Sequence, residues 1–149
     1  MTNPLYRSQA GYEATMKFYD LTAARGPVPY ESRTVGTRIG DTHILIGGPK
    51  AGLPVLLFRG WNGSAAGVGS EFPFLFTKYR VYMPDIVGHT EKSAPNRPSP
   101  QGSNYAHWAK DILDSLRLDK IFVVGISGGG WMTLKFSSSK TCCNLQGVE

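Results

Sequence analysis

A serine enclosed by glycines near the end of the chain, Gly125-Ile126-Ser127-Gly128-Gly129, constrains the fold more than any other feature of the sequence. A continuous apolar run over 121–124 precedes it, and we predict a helix from Trp131 after it. This G-x-S-x-G pattern is typical of a very tight turn between a buried strand and a helix. Its two outer glycines let the strand and the helix approach without clashes of Cβ atoms. We therefore predict a strand–turn–helix unit that directs the Ser127 hydroxyl out of a sheet.

The rest of the chain alternates short apolar runs with helical patterns, which favours an α/β architecture. One helix is predicted from the cap Ser8 to Arg25-Gly26-Pro27, and a second along the apolar stripe from Tyr105 to Leu116. The run Val55–Phe58 lacks alternation and is typical of a strand buried on both faces. The other predicted elements are strands over 32–39, 42–46, 80–85 and 121–124, with a hairpin turn at Gly40-Asp41, and a weak helix over 69–78.

The length of 149 residues suits one ordinary domain with its own core. Hydrophobic residues make up 41% and charged residues 18%, which is typical of a globular chain. We divide the chain into an N-terminal helical segment (1–30), an α/β core (31–139) and an irregular tail (140–149). The tail holds both cysteines, Cys142 and Cys143, whose adjacent positions lack the spacing of a zinc site, so we expect no metal.

The sequence also disfavours nucleic acid and membrane as partners. The net charge is +5, but the 16 lysine and arginine residues are scattered and form no basic run, so we expect no nucleic-acid binding. No stretch of about 18 apolar residues occurs, so we expect no membrane span. Residues 1–7 lack the charged-then-apolar order of a signal peptide, and we expect a cytoplasmic protein.

Residues 31–138 resemble the α/β-hydrolase superfamily, specifically its esterase-like branch. The resemblance rests on the serine motif, on the predicted hairpin that precedes the strand over 55–58, and on the segment 82–89. That segment, Tyr-Met-Pro-Asp-Ile-Val-Gly-His, resembles the family's strand-Asp-x-x-Gly-His turn. The resemblance implies an α/β-hydrolase-type sheet with flanking helices. It further implies hydrolysis of a small-molecule ester through an acyl-enzyme on Ser127, without a cofactor.

Two backbone N–H groups are candidates for stabilising the oxyanion of such a reaction. The Gly128 N–H lies at the N-terminus of the predicted helix, where free donors and the helix dipole favour negative charge. By family likeness, the second donor is the N–H of Trp61, which follows Arg59-Gly60. Trp61 and Trp131 flank this site, where they either line an acyl pocket or belong to the core.

The chain departs from the family pattern in three ways. Arg59 stands where the family usually has the histidine of a His-Gly pair, and the segment Gly88–Ser93 is one residue longer than usual. In the family the acid and the histidine of the triad follow the serine, but here only Glu149 and no histidine follow Ser127. A serine hydroxyl without a base is a weak nucleophile. We therefore expect the N-terminal half of a hydrolase, ending just after the serine turn and missing its C-terminal strands, that is weakly active or inactive.

The three histidines all precede the serine. His89 follows a predicted strand at the same sheet edge as Ser127, where we expect it to stabilise a turn rather than accept the serine proton. His107 is expected on the solvent-facing side of its helix, paired with Asp111 four residues later. His43 lies in a predicted strand with no acidic or metal-binding neighbour at useful spacing.

Two other classes of function stay open. A nucleotide-binding α/β domain is less favoured, because Ser127 stands where the G-x-G-x-x-G pattern needs its second glycine and no strand ending in an acid follows about 20 residues later. The other class is a non-catalytic remnant that binds a partner through its open sheet. With further strands missing, the strand over 121–124 is expected to be an exposed apolar edge that promotes self-association.

Overall fold

A five-stranded mixed sheet carries helices on both faces in the computed structural model, which describes residues 3–139. The predicted α/β architecture is therefore confirmed. The predicted tail, 140–149, lies outside the described residues, and the domain boundaries at 30 and 139 stay predictions. Along the chain the elements are α1 (Gln9–Ala24), β1 (Glu31–Val35), β2 (Thr42–Gly47), β3 (Leu53–Phe58), α2 (Ala65–Val68), two 3₁₀ turns (Gly69–Glu71 and Pro73–Thr77), β4 (Tyr79–Pro84), α3 (Asn104–Leu116), β5 (Phe122–Gly125) and α4 (Gly128–Ser137).

The strands lie in the order β1-β2-β4-β3-β5. β1 and β2 form an antiparallel hairpin, β2 is also antiparallel to β4, and β4, β3 and β5 are parallel. Val55–Phe58 in β3 is buried, as its unbroken apolar pattern predicts. Because the three parallel strands end at the same edge of the sheet, the segments that follow Phe58, Pro84 and Gly125 meet there.

Each face of the sheet is covered by its own apolar cluster. α3 and α4 pack on one face, where Trp108, Ile112 and Phe136 are almost completely buried with Phe58 of β3. This burial confirms the predicted apolar stripe of α3. On the other face lie α1, which buries only Tyr19, and the segment from α2 through the 3₁₀ turns. Within residues 3–139, no helix combines the length and the apolar character needed to cross a bilayer.

The N-terminal helix has the ends that the sequence predicts. Ser8 is the N-cap of α1, and its hydroxyl accepts a hydrogen bond from the Gly11 N–H (3.1 Å). This bond satisfies one of the free donors of the first turn. The helix ends before Arg25, and Gly26-Pro27 then directs the chain away from it toward β1.

The first hairpin differs from the prediction. β1 ends at Val35 rather than at residue 39, and the turn closes between Thr37 and Gly40 rather than at Gly40-Asp41. The Thr37 N–H donates to the Gly40 carbonyl oxygen (3.3 Å), and the Gly40 N–H donates to the Thr37 carbonyl oxygen (3.1 Å). The Thr37 hydroxyl also donates to the Gly40 carbonyl oxygen (2.6 Å). This local bonding competes with the strand ladder and ends the strand early.

The segment predicted as a weak helix, 69–78, is helical in the structure but consists of two 3₁₀ turns rather than an α-helix. The α-helical turn comes earlier, at Ala65–Val68, where the hydroxyl of the cap Ser64 accepts from the Gly67 N–H (3.0 Å). Two 3₁₀ turns follow instead of further α-helix. Pro73 begins the second one, because a proline lacks the N–H that a continuing helix would need.

α3 is tied to the first hairpin by an ion pair that the sequence did not predict. Arg38 donates to the Asp111 carboxylate through its backbone N–H (2.9 Å), its Nε (2.8 Å) and its Nη2 (2.8 Å). This bonding lowers the pKa of Asp111. Arg38, rather than the predicted partner His107, makes the hydrogen bonds to the Asp111 carboxylate; His107 is half-buried on α3 and only adds, through its charge, to the lowering of the Asp111 pKa.

Candidate active site

Ser127 occupies the tight turn between β5 and α4 that the G-x-S-x-G pattern predicts. Its backbone has φ 50° and ψ −114°, a strained conformation that residues other than glycine rarely adopt. α4 begins at Gly128, earlier than the predicted start at Trp131, so Ser127 is the N-cap residue of this helix. Ser127 is exposed. The turn thus holds an accessible serine hydroxyl at the N-terminus of a helix.

Glycine is required on both sides of this turn because backbone oxygens lie close by. A Cβ atom on Gly125 would lie well under 3.0 Å from the Gly129 carbonyl oxygen. A Cβ atom on Gly129 would overlap the carbonyl oxygens of Phe58 and Arg59. These two glycines therefore determine how closely α4 packs on β3 and β5.

The loop after β3 brings Gly60 and Trp61 next to the serine. A Cβ atom on Gly60 would be 3.5 Å from the Cβ atom of Ser127, and one on Gly128 would overlap the Trp61 indole ring. β3 and β5 are parallel neighbours, and their pairing holds the two following loops side by side. The structure therefore brings together the three predicted site residues, Ser127, Gly128 and Trp61.

Ser127 opens into a pocket of about 650 Å³ with mainly aromatic walls. Trp61 stacks on His89 with 5.4 Å between ring centroids, and Trp131 packs on Trp61 (5.7 Å) and on Tyr105 (5.6 Å). Trp61 is 41% exposed and forms a wall of the pocket, whereas Trp131 both lines the pocket and packs against the core. The pocket thus favours an apolar or aromatic group beside the serine. Its other lining residues are Gly128, Arg97, Pro98 and Pro100.

His89 lines the pocket but has the properties of a weak base. Burial lowers the pKa of His89 to about 4, and the positive charges of Arg59 and Arg97 add to this effect. An imidazole with so low a pKa has little tendency to accept a proton. Within residues 3–139, no hydrogen bond joins the Ser127 hydroxyl to a histidine. The backbone N–H of His89 donates to the Ile86 carbonyl oxygen (3.2 Å), a bond that does not involve the imidazole, so the turn-stabilising role of His89 stays a prediction.

Arg59 is buried beneath the loop that carries Gly60 and Trp61. Its guanidinium pairs with the buried Glu91 carboxylate, through Nε to Oε1 (2.9 Å) and through Nη2 to Oε2. Nη1 donates to the carbonyl oxygens of Gly60 (2.7 Å) and Trp61 (3.2 Å). Glu91 in turn accepts from the Ala65 N–H (2.9 Å). This ion pair therefore holds the backbone of the loop next to Ser127.

Sequence reasoning did not assign Glu91 a role. Two departures from the family pattern could have indicated this role. Arg59 replaces a histidine, and Glu91 lies in the segment that is one residue longer than usual. In the structure the two departures compensate each other, because a buried arginine requires a buried acid close by.

His43 has an acidic neighbour in the structure, although the sequence offers none at useful spacing. Its Nδ1 lies 2.9 Å from Oδ2 of Asp85, and its Nε2 lies 2.6 Å from Oγ of Ser32. The antiparallel pairing of β1 with β2 and of β2 with β4 brings these residues together. Asp85 is 42 residues from His43 along the chain, so spacing in the sequence gave no signal of the contact. Among the described residues, no group of three or more His, Cys, Asp or Glu side chains is arranged to hold a metal ion.

The mixed sheet, the serine turn after its last described strand and the glycine loop after β3 together define a hydrolase-type α/β fold. Residues 54–140, more than half of the chain, match the family model described as alpha/beta hydrolase fold. The chain belongs to the α/β-hydrolase-fold family. This result confirms the resemblance and the fold class, and it disfavours the nucleotide-binding alternative.

Relatives of the chain include carboxylesterases of Bacillus subtilis (strain 168). One, named uncharacterized carboxylesterase nap, is 33% identical over 118 residues, which cover 79% of this chain and 39% of the relative. Carboxylesterase YbfK is 32% identical over 130 residues, which cover 85% of this chain and 44% of the relative. The crystal structure of naproxen esterase (carboxylesterase NP) from Bacillus subtilis has a TM-score of 0.78 at 32% identity, over 89% of this chain and 46% of that chain. The chain therefore spans less than half the length of these relatives.

Proposed function

We propose that Ser127 is the nucleophile of a carboxylesterase-type acyl transfer. The proposal rests on the strained, exposed serine at the start of α4, which lies beside the Gly60-Trp61 loop and opens into an aromatic pocket. In this reaction the Ser127 Oγ forms a bond to the ester carbonyl carbon, a base takes the serine proton and passes it to the leaving oxygen, and the bond from carbon to that oxygen breaks. Water then hydrolyses the acyl group from Ser127. The backbone N–H groups of Gly128 and Trp61 are the donors to the oxyanion.

We infer that the substrate is a small ester with an apolar or aromatic acyl or alcohol group. Trp61, Trp131 and Tyr105 present their rings to the pocket, and such rings bind apolar groups by burial and by stacking. The names of the relatives, carboxylesterase and naproxen esterase, support the same class of substrate. Attack by a serine on an ester needs a base and oxyanion donors and no cofactor.

We expect negligible turnover of a chromogenic acetate ester by this chain, with only residual catalysis. No histidine follows Ser127 in the sequence, and His89 is a weak base. Without a base, only the oxyanion donors and binding accelerate the reaction. Steady-state turnover by wild type and by Ser127→Ala should therefore be similar. Robust turnover that Ser127→Ala abolishes would contradict this prediction, and His89→Gln would then show whether His89 is the base.

A base supplied in solution tests the role of Ser127 itself. Added imidazole should accelerate the phosphonylation of Ser127 by a serine-directed phosphonate, and peptide mass spectrometry should locate the adduct. Ser127→Ala is the matched variant that removes the adduct. Ser70, which is exposed and does not line the pocket, reports the general reactivity of serine in the same digest. An unmodified Ser127 in a sample in which Ser70 reacts would refute the proposal.

We further propose that the chain self-associates through β5. Among the described strands β5 pairs only with β3, and Phe122 at its start is 39% exposed. An apolar, uncharged edge strand is a template for pairing with another chain. Val123 is half-buried against the α3–α4 cluster, so lysine there would also disturb the core. Phe122 is therefore the better position for a test.

Light scattering after size-exclusion chromatography should show association that increases with protein concentration, and Phe122→Lys should reduce it. Phe18→Lys is the matched control, because Phe18 is 70% exposed but lies on α1. A monomer at every concentration, or equal effects of the two variants, would refute pairing through β5. The cytoplasmic location and the lack of nucleic-acid binding stay predictions.

A further inference from the structure

A second serine lies in a hydrogen-bonded row with a histidine and a carboxylate, away from Ser127. Ser32 is on β1 and His43 on β2, and Asp85 directly follows β4. Oγ of Ser32 is 2.6 Å from Nε2 of His43, and Nδ1 of His43 is 2.9 Å from Oδ2 of Asp85. β1 and β5 are opposite edges of the described sheet, separated by four strand spacings of about 4.8 Å each. This row is therefore distinct from the site at Ser127.

The partners of Asp85 determine which nitrogen of His43 carries the proton. The Tyr19 hydroxyl donates to Oδ1 (2.7 Å), and the Lys92 N–H donates to Oδ2 (3.1 Å). An ionised carboxylate can only accept hydrogen bonds, so its contact with His43 requires a proton on Nδ1. In the neutral ring Nε2 is then an acceptor, and the short contact with Ser32 is a bond that the serine hydroxyl donates.

The hydroxyl of this row is accessible while the rest of the row is buried. Ser32 is exposed, whereas His43 is 5% and Asp85 0% exposed. Ser32 opens into a pocket of about 530 Å³ between the C-terminal part of α1 and the sheet. Lys92 and Asp20, which pair with each other, both line this pocket. A buried, oriented imidazole next to an accessible hydroxyl is the arrangement that makes a serine nucleophilic.

We propose that Ser32 is a second acylation site, which accepts the acyl group of a small activated ester. Oγ of Ser32 forms a bond to the carbonyl carbon, and the bond from that carbon to the leaving group breaks. The Ser32 proton passes to Nε2 of His43 and then to the leaving group. Asp85 is a positioning residue that keeps the proton of the ring on Nδ1. Ser32 lies within a strand, where no helix N-terminus stabilises an oxyanion. The acyl adduct, once formed, should therefore hydrolyse slowly.

The test uses a fluorophosphonate as the activated electrophile and the full chain with Ser127→Ala, so that Ser127 takes none of the probe. Peptide mass spectrometry gives the rates of adduct formation at Ser32 and at the exposed Ser70. We expect Ser32 to react about 10²-fold faster than Ser70, because a positioned general base contributes about 10²- to 10⁴-fold. Equal rates at the two serines would overturn the proposal, whatever the outcome at Ser127.

Two further measurements separate activation by His43 from simple exposure. His43→Gln should reduce the rate at Ser32 to that at Ser70, and fast labelling in a folded variant would overturn the proposal. In the unaltered chain, a long-range ¹H–¹⁵N correlation spectrum should show His43 protonated on Nδ1. A proton on Nε2 would mean that His43 donates to Ser32, which also overturns the proposal. Asp85→Asn should abolish the preference for the Nδ1 tautomer, an effect that a merely structural Asp85 would not produce.

Discussion

Replacement of Arg59 by methionine is expected to lower the free energy of unfolding by about 3–5 kcal/mol. Arg59 and Glu91 are 2% and 4% exposed, so the substitution leaves a buried carboxylate without its charge partner. Burial and the nearby Asp85 raise the pKa of Glu91, and the guanidinium is the main group that opposes this rise. Urea denaturation followed by circular dichroism measures the loss. A domain is stable by only about 5–15 kcal/mol, so this loss removes a large part of the stability and should shift the urea midpoint strongly downward.

Arg38→Met is the matched control for this prediction. Arg38 also binds a carboxylate, that of Asp111, through two side-chain nitrogens, but its own side chain is 53% exposed and that of Asp111 is 16% exposed. Water reaches the guanidinium of this pair, so Arg38→Met should cost much less stability than Arg59→Met. Adding Glu91→Leu to Arg59→Met should restore part of the stability, because it removes the unpaired charge. Similar small losses for Arg59→Met and Arg38→Met would show that the buried pair contributes no more than an exposed one.

The buried ion pair also connects the stability of the sheet to the candidate site. Arg59 donates to the carbonyl oxygens of Gly60 and Trp61. Glu91 accepts a hydrogen bond from the Ala65 N–H at the start of α2. The buried Arg59–Glu91 ion pair therefore fixes the loop that carries the Trp61 N–H. A folded fraction of Arg59→Met should accordingly show slower imidazole-dependent phosphonylation of Ser127 than wild type.

Features that depend on neighbouring residues could be predicted from the sequence. The cap at Ser8 and the apolar stripe of α3 follow from spacings within a few residues, and the structure has both. The turn at Ser127 was also predictable, because the need for glycine at 125 and 129 arises from atoms within the same turn and the adjacent strand. Each of these patterns can be read within a short stretch of sequence, although the clash at Gly129 arises only where β3 lies next to β5.

Contacts between distant segments could not be predicted, because they depend on the order of the strands. Asp85 reaches His43 only because β4 lies next to β2, and Glu91 reaches Arg59 across 32 residues. The sequence suggested strands but not this order, in which β4 lies between β2 and β3. The row of Ser32, His43 and Asp85 could not be predicted either, because it depends on the pairing of β1 with β2 and of β2 with β4.

The second large effect is expected for Gly129→Ala, which should lower the free energy of unfolding by about 3 kcal/mol. A Cβ atom at this position overlaps the carbonyl oxygens of Phe58 and Arg59. These oxygens belong to the backbone at the buried end of β3 and cannot swing aside as a flexible side chain could. α4 must therefore move away from β3, and Ser127 must move with it. Urea denaturation measures the loss of stability, and imidazole-dependent phosphonylation of Ser127 should slow in the folded fraction.

Gly130→Ala is the control that adds a methyl group to α4 without the clash expected at Gly129. Gly130 is the next residue of α4, and a Cβ atom there has only the Gly125 carbonyl oxygen near it, at an ordinary contact distance of 3.6 Å. Alanine favours a helix over glycine by about 1 kcal/mol, so Gly130→Ala should be neutral or slightly stabilising. Equal losses in the two variants would mean that α4 does not depend on a close approach to β3. A loss at Gly129 alone, with slower labelling of Ser127, would instead link the position of the serine to the packing of α4 against the end of β3.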